Sequence, residues 1–248
     1  MTTSPAVQAL KKRHGKRYAQ VASLVDRTRT YTPQEAVALV KKTATAKFDE
    51  TIEVHIRTTA DPKRSEQMVR GVVVLPHGVG KPKRVLVFAQ GEAGNIARQA
   101  GADIIGDDEV IRRIDQEGWT EFDVALATPD MMGRIGRLGR VLGRKGLMPN
   151  PRAGTVVPPQ DLPRVIAEAK KGRLEFRLDR LGIIHCPIGK ASFPEQHLLE
   201  NLAALVDAVK RAKPEDIKGV FIRSITLTST MGPGIKLDVP ATLALKVE

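Results

Sequence analysis

A chain of 248 residues with 40 Lys+Arg against 28 Asp+Glu carries a formal charge of +12, a surplus that suits a polyanionic partner, because each Lys or Arg laid on a phosphate releases a condensed counterion. A basic enzyme or a solubility feature would carry the same charge, so charge alone leaves both open. One cysteine, Cys186, excludes an intrachain disulfide; no apolar run approaches the ~20 residues that span a bilayer; and the N-terminus lacks the apolar stretch of a secretory signal, which together predict a soluble, cytoplasmic protein.

The chain opens on a basic arm: Lys11, Lys12, Arg13, Lys16, Arg17, Arg27 and Arg29 stand against Asp26 alone in the first thirty residues. Such an arm is a solvated tail or a nucleic-acid contact. A helix follows, with Thr32 as cap, Pro33 at its first position and Glu35 completing a Thr-x-x-Glu capping box. From Phe48 to Thr58 the period changes to two: Phe48, Ile52, Val54 and Ile56 fall on one side, Asp49, Thr51, Glu53, His55 and Arg57 on the other, as in a half-buried strand with a polar outer face. A second strand is expected at Val72–Leu75. The stretch Leu75–Lys83 (LPHGVGKPK) holds two Pro and two Gly and reads as a hinge.

Beyond it, strands and helices alternate: a strand at Val85–Ala89, a helix at Glu92–Ala100, a short strand at Ala102–Ile105, a helix at Asp107–Glu117, a strand at Phe122–Ala127, and a helix opened by Pro129. That order implies a small parallel α/β unit. A Pro-rich stretch, Met148–Pro163, precedes a helix at Val165–Lys171 and Gly172. Then the character changes back. Leu174–Leu178 and Gly182–Cys186, separated by Asp179–Leu181, read as a hairpin. Pro194–Arg211 is a long helix with Leu198, Leu199, Leu202, Leu205, Val206 and Val209 in one stripe. Gly219–Thr230 is a strand with Phe221, Ile225 and Leu227 on one face and Ser224, Thr226, Thr228 and Thr230 on the other. TMGPG (Thr230–Gly234) is a turn, and Ile235–Val239 can pair back.

Neither flank alone supplies a comfortable core, which points to one discontinuous α+β domain built from both termini, with an α/β domain inserted between two hinges. Residues 1–78 and 173–248 together hold nine more basic than acidic side chains, and residues 79–172 three more. The insert is polarised: residues 92–130 hold ten acids and three bases, whereas 131–152 hold six bases and no acid. In that second segment Gly133, Gly136, Gly139 and Gly143 recur along one helix flank beside Arg134, Arg137, Arg140 and Arg144. Two readings stand side by side: the glycines admit a phosphate that the arginines grip, or they let the helix pack tightly on the sheet.

Catalytic motifs are missing. No glycine-rich phosphate loop of either familiar pattern occurs. His55, His77 and His185 have no Asp or Ser partner at motif spacing, and Asp107, Asp108 and Glu109 are explained by the helix dipole. Cys186 reads as a small buried strand residue. Small hydroxyls on the polar strand faces, Ser224, Thr226, Thr228 and Thr230 with Thr51, Glu53 and Lys47, suit RNA sugar and base-edge contacts, since the ribose 2′-OH both donates and accepts. Simple β-propensity of threonine explains the same pattern.

Seven segments resemble one known family: HGKRY (His14–Tyr18), TAKFDET (Thr45–Thr51), LPHGVGK (Leu75–Lys81), ATPDMM (Ala127–Met132), GLMPNPRAGTV (Gly146–Val156), GKASF (Gly189–Phe193) and TMGPG (Thr230–Gly234). The chain is similar over nearly its whole length to the bacterial ribosomal protein L1 family, of the mobile lateral stalk of the large ribosomal subunit. The resemblance implies a non-enzymatic protein without a cofactor. It implies a discontinuous α+β domain I (a split β-α-β sandwich, residues 1–78 and 173–248) that binds large-subunit rRNA, and an inserted Rossmann-like α/β domain II (79–172). It also implies help in releasing deacylated tRNA from the exit site and translational repression through the messenger of its own operon. Carried onto this sequence, the RNA contacts fall on Lys47, Phe48, Thr51, Glu53, Asp179, Ser224, Thr230, Met231 and Gly232, with Phe48 at a strand start, Met231 as a soft apolar contact, Gly232 baring its backbone, and Glu53 and Asp179 accepting from base or ribose donors. Arg144 departs from the family, which usually has Pro there. Residues 1–10 and Pro240–Glu248 lie outside its pattern.

Overall fold

The computed structural model describes residues 15–245. Lys11, Lys12, Arg13 and His14 lie outside them, as do residues 1–10 and 246–248 of the extended ends. The chain forms a mixed α/β structure with nine strands among the described residues: β1 (Thr51–Thr58), β2 (Arg70–Val74), β3 (Val85–Phe88), β4 (Ile104–Ile105), β5 (Val124–Ala127), β6 (Arg173–Arg177), β7 (Ile183–Lys190), β8 (Ile222–Ser229) and β9 (Ile235–Leu237). It divides into two compact units, one of the described residues up to Gly80 and from Leu174 onward, the other of Lys81–Arg173.

The first unit is built on an antiparallel sheet in the order β7-β1-β8-β9. The alternation of β1 is realised: Ile52, Val54, Ile56 and Thr58 are buried, while Thr51, Glu53, His55 and Arg57 stay at least partly exposed. Against the buried face pack the helices Pro33–Thr43 and Glu195–Arg211. The first has the full capping box, Thr32 accepting from Glu35 N and the Glu35 carboxylate from Thr32 N. The second buries Leu198, Leu202, Leu205, Val206 and Val209 of the expected stripe, with Leu199 partly exposed. Each fully buried Leu, Ile or Val contributes about 1.5–3 kcal/mol, so this layer, not the strand hydrogen bonds, fixes the register.

The hairpin expected across Asp179–Leu181 is not formed as such. β6 pairs with β2 in a separate two-stranded sheet, β7 joins β1, and a single Leu178–Ile184 bridge links the two strands. Burial is the reason: Phe176 of β6 is 1% exposed and its ring lies where a Cβ on Gly71 would sit, 2.5 Å from Cζ. β6 thus leaves its neighbour to seat that ring on β2. Leu75–Gly80, the start of the presumed hinge, is held on this unit. Buried Asn201 donates to Gly78 O (2.9 Å) and Ile188 O (2.7 Å) and accepts from His77 N (3.1 Å), and His77 pairs with Glu200 and stacks on His197.

Cys186 sits in β7 at 2% exposure, and burial pushes its thiol up to about 12. Since only the thiolate is nucleophilic, the native protein is expected to leave a thiol reagent unreacted at pH 8 and to release one equivalent after denaturation. Rapid labelling of the native protein would show that β7 opens.

The second unit carries a parallel sheet in the order β4-β3-β5. Val85 and Val87 face the helix Leu162–Lys171, and Leu86 and Phe88 face the helix Asp108–Glu117. Asp107 caps the latter by accepting from Val110 N (3.0 Å). The helix at Leu162–Lys171 begins earlier than Val165, because Pro163 occupies its first turn, where its missing N–H is not needed. The Gly-Arg segment corrects one reading. It is a run of single turns, Met132–Ile135 and Gly139–Leu142 joined by a 3₁₀ turn at Gly136–Leu138. Its buried side is Met131, Ile135, Leu138 and Leu142, so leucine and isoleucine, not glycine, pack it on the sheet.

Candidate nucleic-acid interface

The outer face of the four-stranded sheet is assembled by register. Glu53 lies opposite Thr228 and Pro187, His55 opposite Thr226 and His185, Arg57 opposite Ser224, and Thr226 opposite Lys236. Four strands thus lay hydroxyls, imidazoles and bases on one surface.

At one end of this face two loops meet. Thr51 N donates to Thr230 Oγ1 (3.0 Å) and Thr230 N to Thr51 O (3.0 Å). Between the loops lies Glu50, 1% exposed. Its carboxylate accepts from Ala46 N (2.8 Å) and Met231 N (2.9 Å), so the turn before β1 and the TMGPG turn share one anion. Burial alone would raise the Glu50 pKa, but the two backbone N–H groups and the Arg17 guanidinium outweigh it and hold the carboxyl below its ordinary value. Arg17 closes the ring, donating to Thr45 Oγ1 (3.0 Å) and Met231 O (3.3 Å). On this platform Phe48 and Met231 stand 55% and 49% exposed, with exposed Lys47 beside them.

Phe48 is therefore not at a strand start on the buried side. It lies in a bend, three residues before β1, because Glu50 draws that backbone toward Met231. Gly232 has a structural reason of its own: a Cβ there would run into Ser229 Oγ.

At the other end, Asp179 Oδ1 accepts from Leu181 N (2.8 Å) and Ile183 N (2.7 Å), and Oδ2 meets His185 Nε2 at 3.3 Å. Burial would raise the Asp179 pKa, but these bonds hold it down. His185 in turn places Nδ1 2.8 Å from His55 Nδ1, so one ring donates and the other accepts. Burial, then His185, lowers the His55 pKa against the pull of Glu53. The histidines thus do have acidic partners: Glu200 for His77, 123 residues away, and Asp179 for His185, six residues away across the turn. Asp179 and His185 also border a cleft of about 670 Å³ lined by Met68, Arg70, Arg177 and Arg180. Arg177 and Arg180 have no ion-pair partner among the described residues.

Of the nine residues singled out, Lys47, Phe48, Thr51, Thr230, Met231 and Gly232 come together at one end. Glu53 follows along β1, and Ser224 and Asp179 lie toward the far end, roughly 20 Å away at about 3.4 Å per residue. Sequence reasoning placed Arg17 in the basic arm but not at this site, and it missed Glu50, Lys190, which donates to Thr51 Oγ1 (2.9 Å), and the Arg177–Arg180 pair. For Glu50 a signal existed: it shares the parity of Ile52 and Val54, where an acid does not belong unless something satisfies it. Among the described residues no group of His, Cys, Asp and Glu could hold a metal ion, and no helix is long and apolar enough to cross a membrane.

The model of the Ribosomal protein L1p/L10e family matches residues 40–233. Among similar proteins are the large ribosomal subunit protein uL1 of Chloroflexus aggregans, 58% identical over 95% of this chain and 99% of its own. That of Thermomicrobium roseum is 58% identical over 93% and 96%, and that of Dehalococcoides mccartyi 56% identical over 94% and 98%.

Proposed function

The chain belongs to the Ribosomal protein L1p/L10e family, and on that premise we propose that the outer sheet face of its first unit binds large-subunit rRNA directly and so forms the lateral stalk. The protein is a structural constituent of the large ribosomal subunit, not an enzyme. One observation carries the RNA reading: two exposed apolar side chains, Phe48 and Met231, stand on turns locked together by buried Glu50. A preformed platform of this kind spends no ordering entropy when a base stacks on it. Thr51, Thr230 and Lys47 then read ribose and phosphate around the stacked base, and Gly232 shapes the turn. Glu53 and Ser224 continue the contact along the sheet, and Asp179 braces the loop that presents Arg180.

The same surface would serve repression of the protein's own operon, since a messenger segment shaped like the rRNA element meets the same residues. Assistance in releasing deacylated tRNA from the exit site rests on the family resemblance. Crosslinking in intact ribosomes, mapped to nucleotide and residue, tests the assignment: contacts are expected at Phe48 and Met231, and crosslinks confined to the second unit would overturn it.

The salt dependence gives a separate check. Several proposed contacts are uncharged, so log K should fall with log salt more gently than eight ion pairs would dictate, at about 0.7–0.9 per phosphate neutralised. A titration of the rRNA fragment across salt concentrations measures it, and a slope of eight contacts or more would transfer the binding to the basic patches.

A further inference from the structure

The second unit holds four arginines and a lysine between residues 134 and 145, with no acid among them. Arg134 is paired with Asp108, and Lys145 donates to Thr120. Arg137, Arg140 and Arg144 are exposed, and no ion pair or hydrogen bond engages them among the described residues. They recur at spacings of three and four, over about 10 Å of helical rise, on turns whose opposite side is buried through Ile135, Leu138 and Leu142. Like charges at these spacings repel by roughly 0.2–0.5 kcal/mol per pair on a helix, and no acid within the fold offsets them among the described residues.

A second observation concerns the backbone between them. A Cβ on Gly133, Gly136 or Gly139 would meet nothing within 4 Å, and none of the three has a positive φ. Neither packing nor backbone strain calls for glycine, yet each weakens a helix relative to alanine. The segment does break into single turns. It presents bare backbone beside unpaired guanidiniums.

We propose that this strip binds the phosphate backbone of RNA independently of sequence, as a second contact separate from the sheet face of the first unit. The guanidinium fork matches phosphate oxygens bidentately, and the missing side chains let the strand come closer. Asp108 and Asp130 stand at the start of the strip, so the contact falls on Arg137 to Lys145.

The test is made in the full chain with two probes, a short RNA duplex of arbitrary sequence and the large-subunit rRNA fragment. The variant Arg137→Ala/Arg140→Ala/Arg144→Ala is expected to bind the duplex at least tenfold more weakly, with its salt slope reduced by about three, one per lost phosphate contact. Its affinity for the rRNA fragment and its Tm should stay near the parent's. The variant Phe48→Ala/Met231→Ala should show the reverse pattern. The variant Gly133→Ala/Gly136→Ala/Gly139→Ala should raise Tm while weakening the duplex. Unchanged duplex affinity and slope in the arginine variant overturn the proposal, as does loss of polyglutamate binding with the duplex untouched, which would assign the strip to an acidic protein. Failure of the parent chain to bind the rRNA fragment would instead count against the first unit's assignment and leave the duplex result standing.

Discussion

Replacing Phe48 with alanine is expected to weaken binding of the intact chain to its rRNA fragment by roughly 1–3 kcal/mol, about 5- to 150-fold, while Tm hardly moves. The two halves of that expectation come from one fact: the ring is 55% exposed in the free protein. Truncating an exposed side chain changes stability by at most about 0.5 kcal/mol, whereas a base stacked on that ring loses its whole platform. Met231→Ala should behave likewise with a smaller effect, because a thioether offers area but no π-face. Filter binding and a thermal melt on the same samples decide it. An unmoved Kd would remove Phe48 from the interface, and a parallel fall in Tm would reduce it to a packing residue.

Glu50→Ala is expected to damage both quantities. Two backbone donors, Ala46 N and Met231 N, would lose a charged acceptor in a site 1% exposed. At about 1.5–3 kcal/mol for a hydrogen bond to a charged group, partly offset by relaxation of the loops, the first unit should lose about 3 kcal/mol. Because Phe48 and Met231 hang on those two turns, rRNA affinity should fall as well, although Glu50 itself is buried. Acid titration separates the cause. A carboxylate whose folded pKa is depressed contributes stability that is fully present above its unfolded value, about 4.3, and is lost as pH falls through the lower folded value. The parent should therefore lose more stability between about pH 5 and the acid limit than Glu50→Gln does. Equal slopes in the two proteins would show that Glu50 contributes no such linkage.

The sequence made the elements legible wherever a local rule governs. The capping box at Thr32–Glu35, the alternation of β1 and the stripe of the long helix all follow from burial of one face, and the structure keeps them. What escaped depends on partners far along the chain. Phe48 looked like the first residue of a strand because the alternation extends back to it, but Glu50 answers to Met231, 181 residues away. Leu174–Leu178 looked like half of a hairpin because a short turn follows, but Phe176 needed the space beside Gly71. His77 looked solitary because Glu200 reaches it from 123 residues away, and His55 because its ring partner His185 is 130 residues away. The glycines of the Gly-Arg segment invited a packing explanation, and the isoleucine and leucines between them do that packing instead. In the candidate site, the residues proposed as contacts could be named from the family's motifs, whereas the buried groups that position them, Glu50 above all, could not.

The sheet order has a consequence for biosynthesis. β1 emerges early from the translating machinery, yet its neighbours β7 and β8 are made far later; His55 and His185, side by side on the finished sheet, are 130 residues apart in the chain. At roughly 5–20 residues per second, the early strand waits on the order of ten seconds with both edges open, while the second unit, contiguous in sequence, can close first. A polypeptide terminated before β8 consequently lacks the platform, so such truncated products would be unable to compete with the completed protein for the RNA that we propose it binds.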